Sequence, residues 1–184
     1  MSGEYSYRRF CGGDDEGMAD IVREYKDGLI LYLRSFVSDI YTAEDLAEET
    51  FFRIMVKKPK YSGKSSFRSW LYAIGRNAAV DYVRHHSKEL YIPTWDMESY
   101  ISDEEDIESA YIREKQQEII NKALKGLSAD YRQVIWLVFF EGMSNAEAAA
   151  VMGKNSRQMR NLLYRAKQSL KKELEKEDFI YEEF

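Results

Sequence analysis

What most restricts the fold of this chain is apolar residues at helical spacing, almost uninterrupted by proline: Pro59 and Pro93 are the only two in 184 residues. Between residues 16 and 37, Met18, Ile21, Val22, Tyr25, Leu29, Tyr32, Leu33 and Phe36 form a stripe that must be buried against another helix. The segment YTAEDLAEETFFRIMVKK (41–58) opens a second helix, with Thr42 as the expected N-cap, Asp45 as its capping-box acid and Pro59 as its stop. Residues 60–66, KYSGKSS, form a loop by composition. A third helix is expected over 67–86, with Phe67, Trp70, Leu71, Ile74 and Ala78 on one face. Asn77, Asp81, Arg84 and Lys88 fall on another.

The pattern then breaks. Residues 87–109, SKELYIPTWDMESYISDEEDIES, combine a proline and many acids with apolar residues of no clear period, as a tether does. Helices follow near 110–125, 128–140, 144–152 and 155–175. The expected fold is therefore all-α. Two small helical domains, 1–88 and 112–184, are joined by an acidic linker, 89–111, and the second contains a helix-turn-helix.

Charge is segregated along this frame. The chain carries a formal net charge of -5, yet residues 53–88 hold nine cations against one acid, and residues 154–172 hold seven against none. The block between them, 89–114, holds nine acids and one cation. Charges act over roughly 10 Å at moderate salt, so the two basic blocks present local positive surfaces that the total conceals. One cysteine, Cys11, excludes an internal disulfide and fits a reducing compartment. The opening MSGEYSYRRF lacks the apolar stretch of a signal peptide, and VIWLVFF (134–140) is too short to cross a bilayer. A cytoplasmic protein is expected.

The basic blocks carry recognisable chemistry. In EGMSNAEAAAVMGKNSRQMRNLLYRAKQSL (141–170), Ser144 and Glu147 form a capping box, Ala148 and Ala149 allow close helix crossing, and Gly153 suits a left-handed turn. Met159, Leu163, Ala166 and Leu170 form the buried stripe of the next helix. Arg157, Gln158, Arg160, Asn161, Tyr164, Arg165 and Lys167 occupy its other faces. Arg, Gln and Asn pair with base edges in the major groove, and Arg and Lys neutralise phosphates. The block 53–88 instead mixes cations with Tyr61, Phe67, Trp70, Tyr72 and Tyr82, the combination that stacks on unpaired bases while tracking a backbone. Trp70 lies in the apolar stripe and reads as core, whereas Tyr61, Ser62 and Lys64 read as functional.

The segments AEDLAEETFFRIM, FRSWLYAIGRNAAVDYVR, LSADYRQVIWLVFFEGMSNAEAAAVMG and LLYRAKQSLKKEL together resemble the extracytoplasmic-function (ECF) sigma factors of the bacterial sigma-70 family, over about residues 16–176. The resemblance implies a promoter-specificity subunit that binds core RNA polymerase and recognises and melts promoter DNA. It implies that Asp45, Leu46, Glu48, Glu49, Phe51 and Phe52 bind the clamp of the largest polymerase subunit. Tyr61, Ser62, Lys64, Arg68, Asn77, Asp81 and Arg84 are implied to read the minus-ten element. Arg132, Ser156, Arg157, Gln158, Arg160, Asn161, Tyr164 and Arg165 are implied to dock on the minus-thirty-five element, with the flap of the second-largest subunit as a further contact. An anti-sigma factor is an implied partner.

Some positions depart from the family pattern. Arg157 and Gln158 stand where a Gly-Thr pair is usual, Leu162 where arginine is common, and Ala148 where a bulky aliphatic residue is usual. The acidic linker, with Asp103, Glu104, Glu105 and Asp106, could mimic nucleic acid or shield the basic surfaces. No catalytic set, metal cluster, cofactor or small-molecule site is expected, since the polymerase supplies the chemistry. The alternative is a stand-alone helix-turn-helix regulator, which accounts for 144–170 but not for the acidic-aromatic helix 42–56.

Overall fold

The computed structural model describes residues 2–37, 39–86 and 118–176; the expected linker 89–111 and the tail beyond Lys176 lie outside the described residues. The described residues form helices joined by short turns and loops, without strands. Four helices form the first half: α1 (Gly3–Cys11), α2 (Glu16–Leu33), α3 (Ile40–Lys57) and α4 (Phe67–His86). The second half comprises α5 (118–125) and α6 (Ala129–Ile135), which runs on into a π-helical turn (Trp136–Phe140). It ends with α7 (Asn145–Met152) and α8 (Ser156–Lys176). No helix among the described residues is long and apolar enough to cross a membrane.

Apolar stripes from both halves close into one continuous core. Ile21, Leu29, Leu33, Ile54 and Leu71 are fully buried in the first, as are Leu124, Ile135, Leu137 and Met159 in the second. Tyr7, Tyr61, Phe67 and Trp70 form an aromatic cluster with ring centroids 5.2–5.6 Å apart, and Trp70 takes the packing role its stripe position suggested.

Local chemistry sets the helix ends. The cap of α3 is Asp39 rather than the expected Thr42. One carboxylate oxygen accepts the Thr42 backbone N–H at 2.9 Å and the other its hydroxyl at 2.6 Å, so the helix begins before Thr42. Those bonds, the hydroxyl first, hold the Asp39 carboxyl below its ordinary pKa. At the other end Lys58 takes the left-handed conformation (φ +41°) immediately before Pro59. The Ser144–Glu147 capping box of α7 forms as expected, and Gly153 turns left-handed (φ +62°) after Met152. α8 opens with a second reciprocal box: the Asn155 N–H donates to Gln158 Oε1 and the Gln158 N–H to Asn155 Oδ1, each at 2.9 Å.

Helix α1 was not anticipated from the sequence. Ser2 caps it, and Gly3, Ser6, Tyr7 and Phe10 form its buried face. It crosses α2 so closely that a Cβ on Gly17 would lie 2.3 Å from the Ser6 carbonyl oxygen and 2.7 Å from the Phe10 nitrogen. Both are backbone atoms, so the contact can be relieved only by moving α1. Gly17→Ala should therefore destabilise the protein by about 1–3 kcal/mol despite the better helix propensity of alanine. Urea unfolding measures this, and unchanged stability would show that α1 is not docked on α2.

Candidate polymerase and nucleic-acid interfaces

The surface of α3 follows from its excess of apolar residues. Ala43, Leu46, Ala47, Thr50, Phe51 and Ile54 face inward. Leu46 and Phe51, expected at a polymerase surface, are therefore core residues, since one helix face cannot both fill the bundle and meet a partner. Asp45, Glu48, Glu49 and Phe52 are exposed. Phe52 is 59% exposed and is accompanied by exposed Met55 and Val56, which the sequence reading missed. FFRIMV holds more apolar residues than one buried stripe accommodates, and that surplus was the available signal.

The loop between α3 and α4 presents Ser62 and Lys64 to solvent, but Tyr61 is half-buried, its ring in the aromatic cluster and its hydroxyl donating to the Ser65 carbonyl at 2.5 Å. A cleft of about 310 Å³ opens between this loop and α1, where Arg8, Lys58 and Lys60 surround Tyr7 and Tyr61. On α4, Asn77, Asp81 and Arg84 are exposed, with Arg84 3.3 Å from the Asp81 carboxylate. Arg68 is not available in this conformation, because its guanidinium is engaged by the second half.

The other basic surface lies on α8. Met159 and Ala166 are its fully buried residues. Ser156, Arg157, Gln158, Arg160, Asn161, Tyr164 and Arg165 are all exposed, Tyr164 by 67%. The Gln158 side-chain oxygen is occupied by the capping box, which leaves its amide protons for other contacts. Arg132 is elsewhere: it is 6% exposed and donates to the carbonyls of Ser35 at 3.3 Å and Leu124 at 3.4 Å. Burial lowers its pKa, and it reaches no DNA in this conformation.

The two halves meet at α4 and α7, around Glu141. The π turn places this residue: its N–H donates to the Trp136 carbonyl, one residue further back than in an α-helix. The Glu141 side chain is 7% exposed. It accepts from Arg68 Nη2, from the Tyr72 hydroxyl at 2.9 Å and from Trp136 Nε1 at 3.3 Å, while its backbone carbonyl accepts Arg68 Nη1 at 2.7 Å. Gly28 makes room, because a Cβ there would lie 2.6 Å from the Tyr72 hydroxyl. Nearby, Arg76 Nε donates to Gln133 Oε1 at 3.3 Å. Burial disfavours the Arg68 charge, but Glu141 and Tyr72 more than offset this and its pKa rises.

A two-half helical protein with one exposed basic recognition helix and a second basic, aromatic-rich helix is a nucleic-acid-binding protein. Comparison with known proteins narrows this. Residues 21–89 match Sigma-70 region 2, and residues 117–170 match Sigma-70 region 4. The ECF RNA polymerase sigma factor SigC of Mycobacterium tuberculosis (strain CDC 1551 / Oshkosh) is 30% identical over 78% of this chain and 76% of its own length. SigM of Bacillus subtilis (strain 168), also an ECF RNA polymerase sigma factor, is 29% identical over 83% of this chain and 91% of its own. The sigma factor RpoE of Bartonella quintana, solved in complex with the anti-sigma factor NepR, superposes with a TM-score of 0.66 at 25% identity, covering 85% of this chain and 97% of that one. CnrH, solved with the cytosolic domain of CnrY, has the same fold at 22% identity (TM-score 0.67, covering 93% of this chain and 96% of that one). The chain belongs to the ECF group of the sigma-70 family. It is an RNA polymerase sigma factor, whose partners are core polymerase and promoter DNA. Members of this family are transcription-initiation factors rather than catalysts.

The capping box gives a pH dependence. The Ser144 backbone N–H first, then its hydroxyl and that of Ser66, lower the pKa of Glu147. A depressed folded-state value means that this stabilisation is complete above the ordinary carboxylate range and is lost as pH falls through the lowered value. Glu147→Gln should remove that acid-dependent part of the stability while leaving the neutral-pH fold intact. Thermal unfolding between neutral and acid pH checks this, and parallel curves for the two proteins would refute it.

Proposed function

We propose that the two halves divide promoter recognition. The first, residues 1–88, binds the polymerase clamp through the exposed face of α3, Asp45, Glu48, Glu49 and Phe52, extended by Met55 and Val56. Its loop and α4, through Ser62, Lys64, Asn77, Asp81 and Arg84, engage the unpaired minus-ten strand, with Tyr61 and Arg68 joining once their present contacts loosen. The second half places α8 in the major groove of the minus-thirty-five element, Arg157, Arg160, Asn161, Tyr164 and Arg165 facing the DNA with Ser156 and Gln158 at its start, and meets the polymerase flap. The observation that supports this most is the separation of exposed chemistry: acids and apolar groups on α3, cations and amides on α8. Acidic residues complement a basic partner surface, whereas the α8 residue types pair with base edges and phosphates. The protein acts in the cytoplasm, and an anti-sigma factor restrains it, as NepR is bound to its solved relative. A stand-alone regulator would use α8 alike but leaves the α3 face without a purpose.

Two substitutions separate these roles. Phe52→Ala should weaken binding to core polymerase without lowering stability, whereas Phe51→Ala should cost about 3–5 kcal/mol of stability as a core truncation. Anisotropy titration against core polymerase, with urea unfolding in parallel, tests the pair; unchanged affinity in Phe52→Ala would exclude this face. Arg160→Ala should reduce specific duplex affinity by about 1–3 kcal/mol if the residue reads a base. An equal loss on every sequence would make it a phosphate contact.

A further inference from the structure

The π turn of the second half buries a carboxylate against the first half, at a cation, Arg68, that the proposed division of labour assigns to DNA. Arg68, Tyr72 and Arg76 stand at i, i+4 and i+8 on α4, spanning roughly 12 Å along the helix. The same ridge continues through Val80 to Arg84, one of the residues assigned to the minus-ten strand. Its first members offer three donors of two kinds: the guanidinium groups of Arg68 and Arg76 and the buried Tyr72 hydroxyl. Each is engaged by the second half, Arg68 and Tyr72 by Glu141 and Arg76 by Gln133. A carboxylate held by one arm of a guanidinium and by a hydroxyl offers the negative charge and paired oxygen acceptors that a phosphodiester also offers.

We infer that Arg68, Tyr72 and Arg76 form a phosphate-binding site for the unpaired promoter strand, and that Glu141 occupies it in the free protein as a phosphate mimic. The inference rests on the reading that the first half binds this strand, and it adds Tyr72, Arg76 and Glu141 to that reading. Geometry requires the site to change hands. Elements centred about 25 base pairs apart lie roughly 85 Å apart along B-form DNA at 3.4 Å per base pair. The 21-residue α8 is only about 30 Å long at 1.5 Å per residue. Two halves packed at Glu141 do not span that separation. Docking on both elements withdraws Glu141, and strand phosphate replaces it on Arg68 and Tyr72. Occupation by an internal ligand lowers apparent affinity by the fraction of molecules that are open. Free protein therefore binds the strand weakly, without any change in its DNA-facing residues.

The test is fluorescence anisotropy of the full chain with a labelled oligothymidylate of about 12 nucleotides. Glu141→Gln should bind about fivefold or more tightly than wild type. Glu118→Gln, which removes the same unit of charge from an exposed position 62% open to solvent, should change affinity little. In the Glu141→Gln background, Tyr72→Phe and Arg76→Ala should each reverse most of the gain, and Arg76→Ala should also flatten the salt dependence. Equal behaviour of Glu141→Gln and Glu118→Gln would overturn the mimicry, and a gain insensitive to Tyr72→Phe and Arg76→Ala would overturn the site. Lys64→Ala in the same background reports on the underlying reading by itself. If Lys64→Ala, Tyr72→Phe and Arg76→Ala all leave affinity unchanged, strand binding by the first half fails as well, whereas a loss confined to Lys64→Ala sinks only the shared site.

Discussion

The polar contacts at the seam between the two halves centre on one buried carboxylate. Glu141 leaves the π turn with almost no solvent contact; among the described residues Arg68 balances its charge, and Tyr72 and Trp136 add hydrogen bonds. An ion pair taken out of water adds little net stability, because the desolvation of both groups offsets their attraction. Removing one partner is costly, however, since the other is then stranded. Such an interaction specifies an arrangement more than it strengthens one, which suits a contact that is made in one state and exchanged in another.

The rest of the interface follows the same logic. Arg132 spends its guanidinium on two carbonyls, one of them Ser35 in the first half, and Arg76 donates to Gln133. Glu147 caps α7, and the nearby Ser66 hydroxyl helps lower its pKa. These polar contacts border a seam at which apolar residues of both halves join one continuous core. The surfaces assigned to partners, the outer face of α3 and the outer face of α8, remain open while the seam is closed. On the proposed reading, polymerase and duplex engage these open surfaces while Glu141 still occupies the strand site.

Helix positions were legible because their signals are local. α4 over 67–86, the α7 capping box, Gly153 and the exposed row of α8 were all readable from period and turn chemistry. α1 leaves a fainter trace, Ser2 as a cap and Gly3, Tyr7 and Phe10 at helical spacing within a polar segment. Direction on a helix was harder. Leu46 and Phe51 belong to the core because α3 carries more apolar residues than one face can bury, and only packing decides which remain outside. Arg68 and Arg132 could not be placed at all from their neighbours in the chain. Their partners are Glu141, 73 positions away, and Ser35, 97 positions away, and no period or motif reports contacts of that range.

The distance between the halves tests the account most directly. Spin labels on Cys11, which is exposed, and on an introduced Gln168→Cys report it by electron–electron resonance, in the free protein and bound to core polymerase with promoter DNA. The account predicts a single short distance in the free protein and a longer one, by tens of ångströms, in the promoter complex. A broad, long distribution in the free protein, or a short distance retained on the promoter, would contradict it.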